Sequence, residues 1–83
     1  MYDIILTNSA EKFLKRVERQ DQIRIRDKLK ELKENPHRGI PLTGNLSGLW
    51  KLRVGNYRVT YQIKNQELIV LIIRIGHRKN IYD

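Results

Sequence analysis

Lys51, Arg53 and Arg58 are the side chains of this sequence whose types and spacing invite chemistry. They lie in the stretch Leu49 to Ile63, LWKLRVGNYRVTYQI, which reads as two strands joined by a tight Gly55-Asn56 turn. A two-residue loop predicts the pairing Val54 with Tyr57, Arg53 with Arg58, Leu52 with Val59 and Lys51 with Thr60. Strand alternation then places Trp50, Leu52, Val54, Tyr57, Val59 and Tyr61 on one face and Lys51, Arg53 and Arg58 on the other. Like charges directly opposite each other repel, at a cost of about 0.2–1 kcal/mol. Such a cluster has two readings: a cationic face with its arginines splayed into water, or a place that an anion visits.

Further candidates lie near the C-terminus. The pair His77-Arg78 falls just past a predicted strand end, where functional groups are often carried, and Tyr82 follows four residues later. The tail is short enough for Arg78 and Tyr82 to reach a common site. Other chemistries have little support. There is no cysteine, which excludes thiol catalysis, disulfides and cysteine-ligated zinc. His37 and His77 are the only histidines, and the acids are scattered among basic residues without HExxH or paired-carboxylate spacing, so no metal or other cofactor is expected. Ser9 and Ser47 are not in a nucleophile-elbow context, and no glycine motif cradles phosphate.

A cationic set of Lys, Arg, His and Tyr suits cleavage of RNA by its own 2′-hydroxyl. That reaction needs a base for the 2′-OH proton, stabilisation of charge on the phosphoryl oxygens, and protonation of the leaving 5′-oxygen. Arginine supplies the second through fixed bidentate donors. A lysine among other cations loses its proton more readily, and a histidine titrates near neutrality, so either type can act as base.

The elements that must position these groups follow from periodicity. Tyr2 to Thr7 alternates as a short strand. Asn8 or Ser9 is a candidate cap for a helix whose stripe is Ala10, Phe13, Leu14 and Val17. Asp21 is a candidate cap for a second helix, with Ile25, Leu29 and Leu32 on its buried face and Ile23 off that stripe. Asn35-Pro36 ends it, because the residue before proline avoids helical geometry. Residues 36–48, with three glycines and two prolines, read as a loop. After the hairpin, Asn65 and Gln66 turn the chain into ELIVLIIRI, apolar on both parities. That fits an interior strand covered on both faces, or a subunit contact. Gly76 ends it.

The order is β-α-α-β-β-β: a single α+β domain over 1–83, with an antiparallel C-terminal meander and a helical hairpin packed on one face. The net charge is +8 and uneven. Residues 1–36 carry nine Lys/Arg against seven Asp/Glu, as a solvated helical surface does, and Lys12, Lys15, Arg16, Lys28 and Lys30 are read as such faces. Residues 37–83 carry eight Lys/Arg against Glu67 and Asp83 alone, the footprint of a phosphate-bearing or acidic partner. No signal-peptide pattern opens the sequence and no apolar run reaches a membrane span, so a soluble cytoplasmic protein is expected.

The chain resembles the RelE branch of the RelE/ParE toxin superfamily over essentially its whole length. The hairpin LWKLRVGNYRVTYQI, the strand LIVLIIRI, the ending IGHRKNIY and the phrases AEKFLKRV and PLTGNLSGLWKLRVG carry the resemblance. It implies the toxin of a type II toxin–antitoxin system, an endoribonuclease (mRNA interferase) that cuts messenger RNA in the ribosomal A site without metal. It also implies contact with ribosomal RNA, a cognate acidic RelB-like antitoxin, and operator DNA only through the antitoxin complex. A ParE-like toxin that inhibits DNA gyrase by binding is the alternative within the same fold.

By resemblance, Lys51 and Arg53 match the two basic positions of the family's hairpin and Arg58 its phosphate clamp. Arg78 matches an arginine that stabilises the transition state or protonates the leaving group, and Tyr82 a tyrosine that orients the base. Arg74 and Lys79 join Lys51 and Arg53 as expected phosphate contacts. Some relatives have lysine at the position of Arg53; a guanidinium cannot take its place as base, which leaves Lys51 or His77.

Overall fold

The hairpin that carries the cations is the centre of a five-stranded sheet. The computed structural model describes residues 1–78. Its elements are β1 (Asp3–Leu6), α1 (Asn8–Arg16), α2 (Arg19–Glu34), β2 (Ile40–Pro41), β3 (Leu49–Val54), β4 (Tyr57–Lys64) and β5 (Ile69–His77), in the sheet order β1-β5-β4-β3-β2. Strands β3, β4 and β5 form the expected antiparallel meander, and β1 joins it in parallel, beside β5.

Each helix starts where a side chain or a packing contact dictates. Thr7, not Asn8 or Ser9, caps α1: its Oγ1 accepts from Ala10 N at 3.2 Å and donates to Ile73 O at 2.7 Å. One residue thus ends β1, caps the helix and ties both to β5. Helix α2 begins at Arg19, two residues before the expected cap, and no side chain caps it. Asp21 instead lies in its first turn, where its carboxylate accepts a 2.7 Å hydrogen bond from the Tyr57 hydroxyl. The helix ends at Glu34, before Asn35-Pro36, as proline requires.

Both helices cover one sheet face. Ala10, Leu14, Ile25, Leu29 and Leu32 pack on Val54, Tyr57, Val59, Tyr61, Val70, Ile72 and Ile75, while Ile23, off the stripe, stays 51% exposed. The β3–β4 register is the predicted one, including Arg53 opposite Arg58. Gly55 takes φ +59° at the first turn position and Asn56 a negative φ, the pattern of a type II′ turn, in which glycine leads.

Two features escaped the sequence reading. The loop at 36–48 contains an edge strand, β2, and two short 3₁₀ turns, Pro36–Arg38 and Gly44–Leu46. Strand β5 carries a β-bulge: Thr60 opposes Arg74 but Tyr61 opposes Ile72, so Ile73 is an extra residue. The bulge shifts the alternation by one. Val70 and Ile72 before it, and Ile75 after it, are all buried on the helical face. This accounts for Ile75, which has the parity of Ile69, Leu71 and Ile73 but is buried on the helical face. β5 is interior within the sheet, yet its other face is only half-buried at Ile69, Leu71 and Ile73. No helix among the described residues is long and apolar enough to cross a membrane.

Candidate functional site

On the sheet face away from the helices lies a hollow of about 380 Å³. Lys51, Arg53, Arg58 and Arg78 line it together with Arg38, Gly39, Ile40 and Leu52. Strand pairing puts the first three there. Lys51 and Arg53 alternate outward from β3, and Arg58 stands across from Arg53 on β4. Lys51 and Arg58 are half-buried, whereas Arg53 is exposed.

Arg78 arrives from the end of β5. Its backbone N–H donates to Asn56 O at 2.9 Å, which fastens the chain to the hairpin turn and sets Arg78 beside Arg58. Arg38 comes from the loop. Tyr61, fully buried, anchors that loop: its hydroxyl donates to Pro36 O at 2.7 Å and accepts from Gly39 N at 3.0 Å. Burial raises the Tyr61 pKa above its ordinary value of 10.0, against a smaller lowering by the Gly39 N–H. Arg38 is further held by Glu31, Nε to Oε1 at 3.0 Å.

Sequence reading missed Arg38, because a loop without periodicity says nothing about where its side chains go. The only cue was its basic character directly after Pro36-His37.

The other expected site residues separate. The bulge turns His77 to the helical face, where it opposes Tyr57 and its ring lies 4.9 Å from that of Tyr57 and 6.0 Å from that of Phe13. It does not line the cationic hollow. Unbulged, β5 would have carried His77 to the face of Arg58. Arg74 is exposed and shares the cross-strand row of Thr60 and Lys51, but it lines a different groove, beside α1. Lys79 and Tyr82 lie outside the described residues.

Chemically, the hollow gathers four guanidinium groups and one ammonium, and no carboxylate lines it among the described residues. Guanidinium forks bind phosphate oxygens in bidentate fashion and cannot act as bases. Lys51 is the one amine among the described lining residues.

Residues 4–82 match the family model described as the ParE toxin of type II toxin-antitoxin systems, parDE. The chain belongs to the RelE/ParE toxin family. Curated relatives of this toxin are RelE-type. It is 40% identical to Toxin RelG of Mycobacterium tuberculosis over 53 residues, 63% of this chain and 61% of that protein. It is 46% identical to Toxin RelE of the same organism over 52 residues, 61% of this chain and 54% of that protein. The matched stretch thus spans less than two thirds of either relative.

Solved structures match over more of the length. The RelBE2 toxin–antitoxin complex of M. tuberculosis contains a chain with a TM-score of 0.86 at 29% identity, covering 93% of this toxin and 98% of that chain. The isolated Escherichia coli RelE toxin gives 0.82 at 22% identity, covering 93% and 84%, and so shares the fold. The α+β fold expected from the sequence is that of RelE structures.

Proposed function

We propose that this toxin is an endoribonuclease that cleaves messenger RNA in the ribosomal A site, with the cationic hollow as its active site. The observation that carries the reading is the convergence of Lys51, Arg53, Arg58 and Arg78 on one cavity. In the proposed reaction the 2′-oxygen attacks the adjacent phosphorus and the bond to the 5′-oxygen breaks. Lys51, in its amine form, takes the 2′-OH proton. Arg58 clamps the phosphoryl oxygens, and Arg53 and Arg38 hold the neighbouring backbone. Arg78 stabilises the charge on the departing 5′-oxygen, which takes its proton from water, since a guanidinium does not give one up. The products are a 2′,3′-cyclic phosphate and a free 5′-hydroxyl. His77 is not assigned the base, because its ring packs on the opposite face.

Side chains hold the charge, and Lys51 and water move the protons in this scheme, so the reaction is proposed to run without metal. Five of the eight described residues that line the cavity are cationic, and none is aromatic. A host that fixes the strand, the ribosome and its RNA, would supply the positioning, which is worth many powers of ten in rate. The structural relatives include toxin–antitoxin complexes. An acidic antitoxin occupying the hollow is the proposed means of control, with operator DNA reached through that complex.

The description of the matching family model as a ParE toxin favours a second reading, a gyrase inhibitor that acts by binding. One experiment separates the two. The purified chain is added to a translation extract, and messenger ends are mapped on stalled ribosomes; in parallel it is added to gyrase in a supercoiling assay. Ribosome-dependent cuts with a cyclic phosphate end support the nuclease. Blocked supercoiling without cuts supports the inhibitor.

A further inference from the structure

A groove of about 520 Å³, roomier than the cationic hollow, lies apart from the proposed active site. It runs between α1 and the last residues of β5. Strand β1 pairs with β5 only as far as Ile72, so the groove forms where the sheet edge opens beside the helix. Lys12, Phe13 and Arg16 of α1 line it together with Arg74 and His77 of β5. Lys12 and Arg16 stand four residues apart on the helix, and the β5 bulge sets the phase of Arg74. All three cations are exposed, and among the described residues none is in an ion pair. The exposed imidazole of His77 adds a ring at the groove's end.

Three cations lining one cleft, none in an ion pair among the described residues, are more than the solvated helix face that Lys12 and Arg16 suggested in the sequence, and they give Arg74, an expected phosphate contact, a place apart from the hollow. Lys12 and Arg16, one turn apart on α1, are spaced as successive phosphates are, Arg74 lines the same cleft, and a cationic track with an aromatic ring is how proteins hold single strands. The groove adjoins the hollow through the chain itself: His77 lines one and Arg78, the next residue, lines the other. We infer that this groove is a second, non-catalytic subsite that binds the phosphodiester backbone of RNA next to the cleavage site. The inference rests on the nuclease reading and extends it to Lys12, Arg16 and Arg74. An acidic peptide fits less well: Phe13 and Ile75 are the apolar side chains lining this groove, against Ile4, Leu6 and Leu29 in the groove rimmed by Arg26, Lys30 and Lys33.

The test measures binding, not cleavage. A 2′-O-methyl oligouridylate of about twelve nucleotides, within the span one such groove covers, is titrated by fluorescence anisotropy over a range of salt. The triple variant Lys12→Gln/Arg16→Gln/Arg74→Gln is compared with wild type and with Arg26→Gln/Lys30→Gln/Lys33→Gln, which removes the same charge from α2. The groove variant is expected to lower the slope of log K against log salt by about 2, at about 0.7 for each phosphate left unneutralised, while the α2 variant changes it by less than half as much. A uridine dinucleotide should bind all three alike.

Stoichiometry names the source of the strand. One oligonucleotide per protein, weakened also by Arg58→Ala, means a single strand running through both sites; two, with independent losses, means a separate RNA segment. Either supports the subsite. Equal losses in both triple variants would overturn it, as would poly-glutamate binding that depends on the three residues while RNA binding does not. Failure of the nuclease reading looks different: no cuts on ribosomes, with groove-dependent binding intact.

Discussion

Arg53 and Arg58 stand directly opposite each other on β3 and β4, two guanidinium groups in one cross-strand pair on the face away from the core. Pairing like charges this way costs the sheet about 0.2–1 kcal/mol. Arg53→Thr is therefore expected to stabilise the fold by that amount in a urea titration while weakening RNA affinity. Arg58→Ala is expected to cut ribosomal messenger cleavage by about two to three orders of magnitude, the usual loss of one transition-state donor, while the protein still folds cooperatively in the same urea titration. Full activity of Arg58→Ala would remove its role as phosphate clamp.

Cleavage on ribosomes is expected to persist when transition metals are chelated under conditions that spare magnesium, with ribosome integrity followed by sedimentation. Loss of cleavage on intact ribosomes would mean that a metal takes part. Free RNA is expected to be cut far more slowly than RNA in the A site, because in the proposed scheme the ribosome positions the strand. Rapid cutting of free RNA would contradict the ribosome dependence.

Gly39 sits where loop, strand and site meet. A Cβ there would lie 2.5 Å from Lys51 O and 2.5 Å from the Tyr61 hydroxyl. Gly39→Ala is expected to destabilise the protein by about 1–3 kcal/mol, the range for overpacking, and to lower cleavage beyond what the lost fold explains by shifting Lys51. Thermal unfolding and cleavage by the folded fraction check both; a variant as stable and as active as wild type would show that the loop moves aside freely.

The Tyr57–Asp21 hydrogen bond joins the hairpin to α2. Tyr57→Phe is expected to cost about 1–2 kcal/mol at neutral pH. The bond to Asp21, then burial, raises the Tyr57 pKa above its ordinary value of 10.0. A raised pKa means that the stabilisation is complete below pH 10, where the unfolded tyrosine is still protonated, and is lost as pH climbs from there through the folded value. The gap in stability between wild type and Tyr57→Phe should hence be constant from pH 6 to about 9 and shrink above about 10. A gap that widens with alkali would reverse the sign of this account.

Much of the fold was legible in the sequence because its signals are local. A two-residue Gly55-Asn56 loop leaves one register, and that register placed Arg53 against Arg58 before any coordinates did. The stripe of Ile25, Leu29 and Leu32 is likewise a property of helical period alone. Strand β2 was not legible. It is two residues long, one of them proline, and exists only because β3 offers an edge.

By itself, then, the sequence determined both helices, the four longer strands, the hairpin register and the cationic face, all of which follow from neighbours along the chain. The tertiary structure decided which cations share a cavity. The Tyr61 hydroxyl draws in the loop that brings Arg38, the Asn56 carbonyl holds Arg78 beside Arg58, and the bulge at Ile73 turns His77 away to Phe13 and Tyr57. Each of these is a contact between residues distant in the chain, or a one-residue slip in strand phase. Composition and period carry no record of either, because both are selected by packing over the whole sheet.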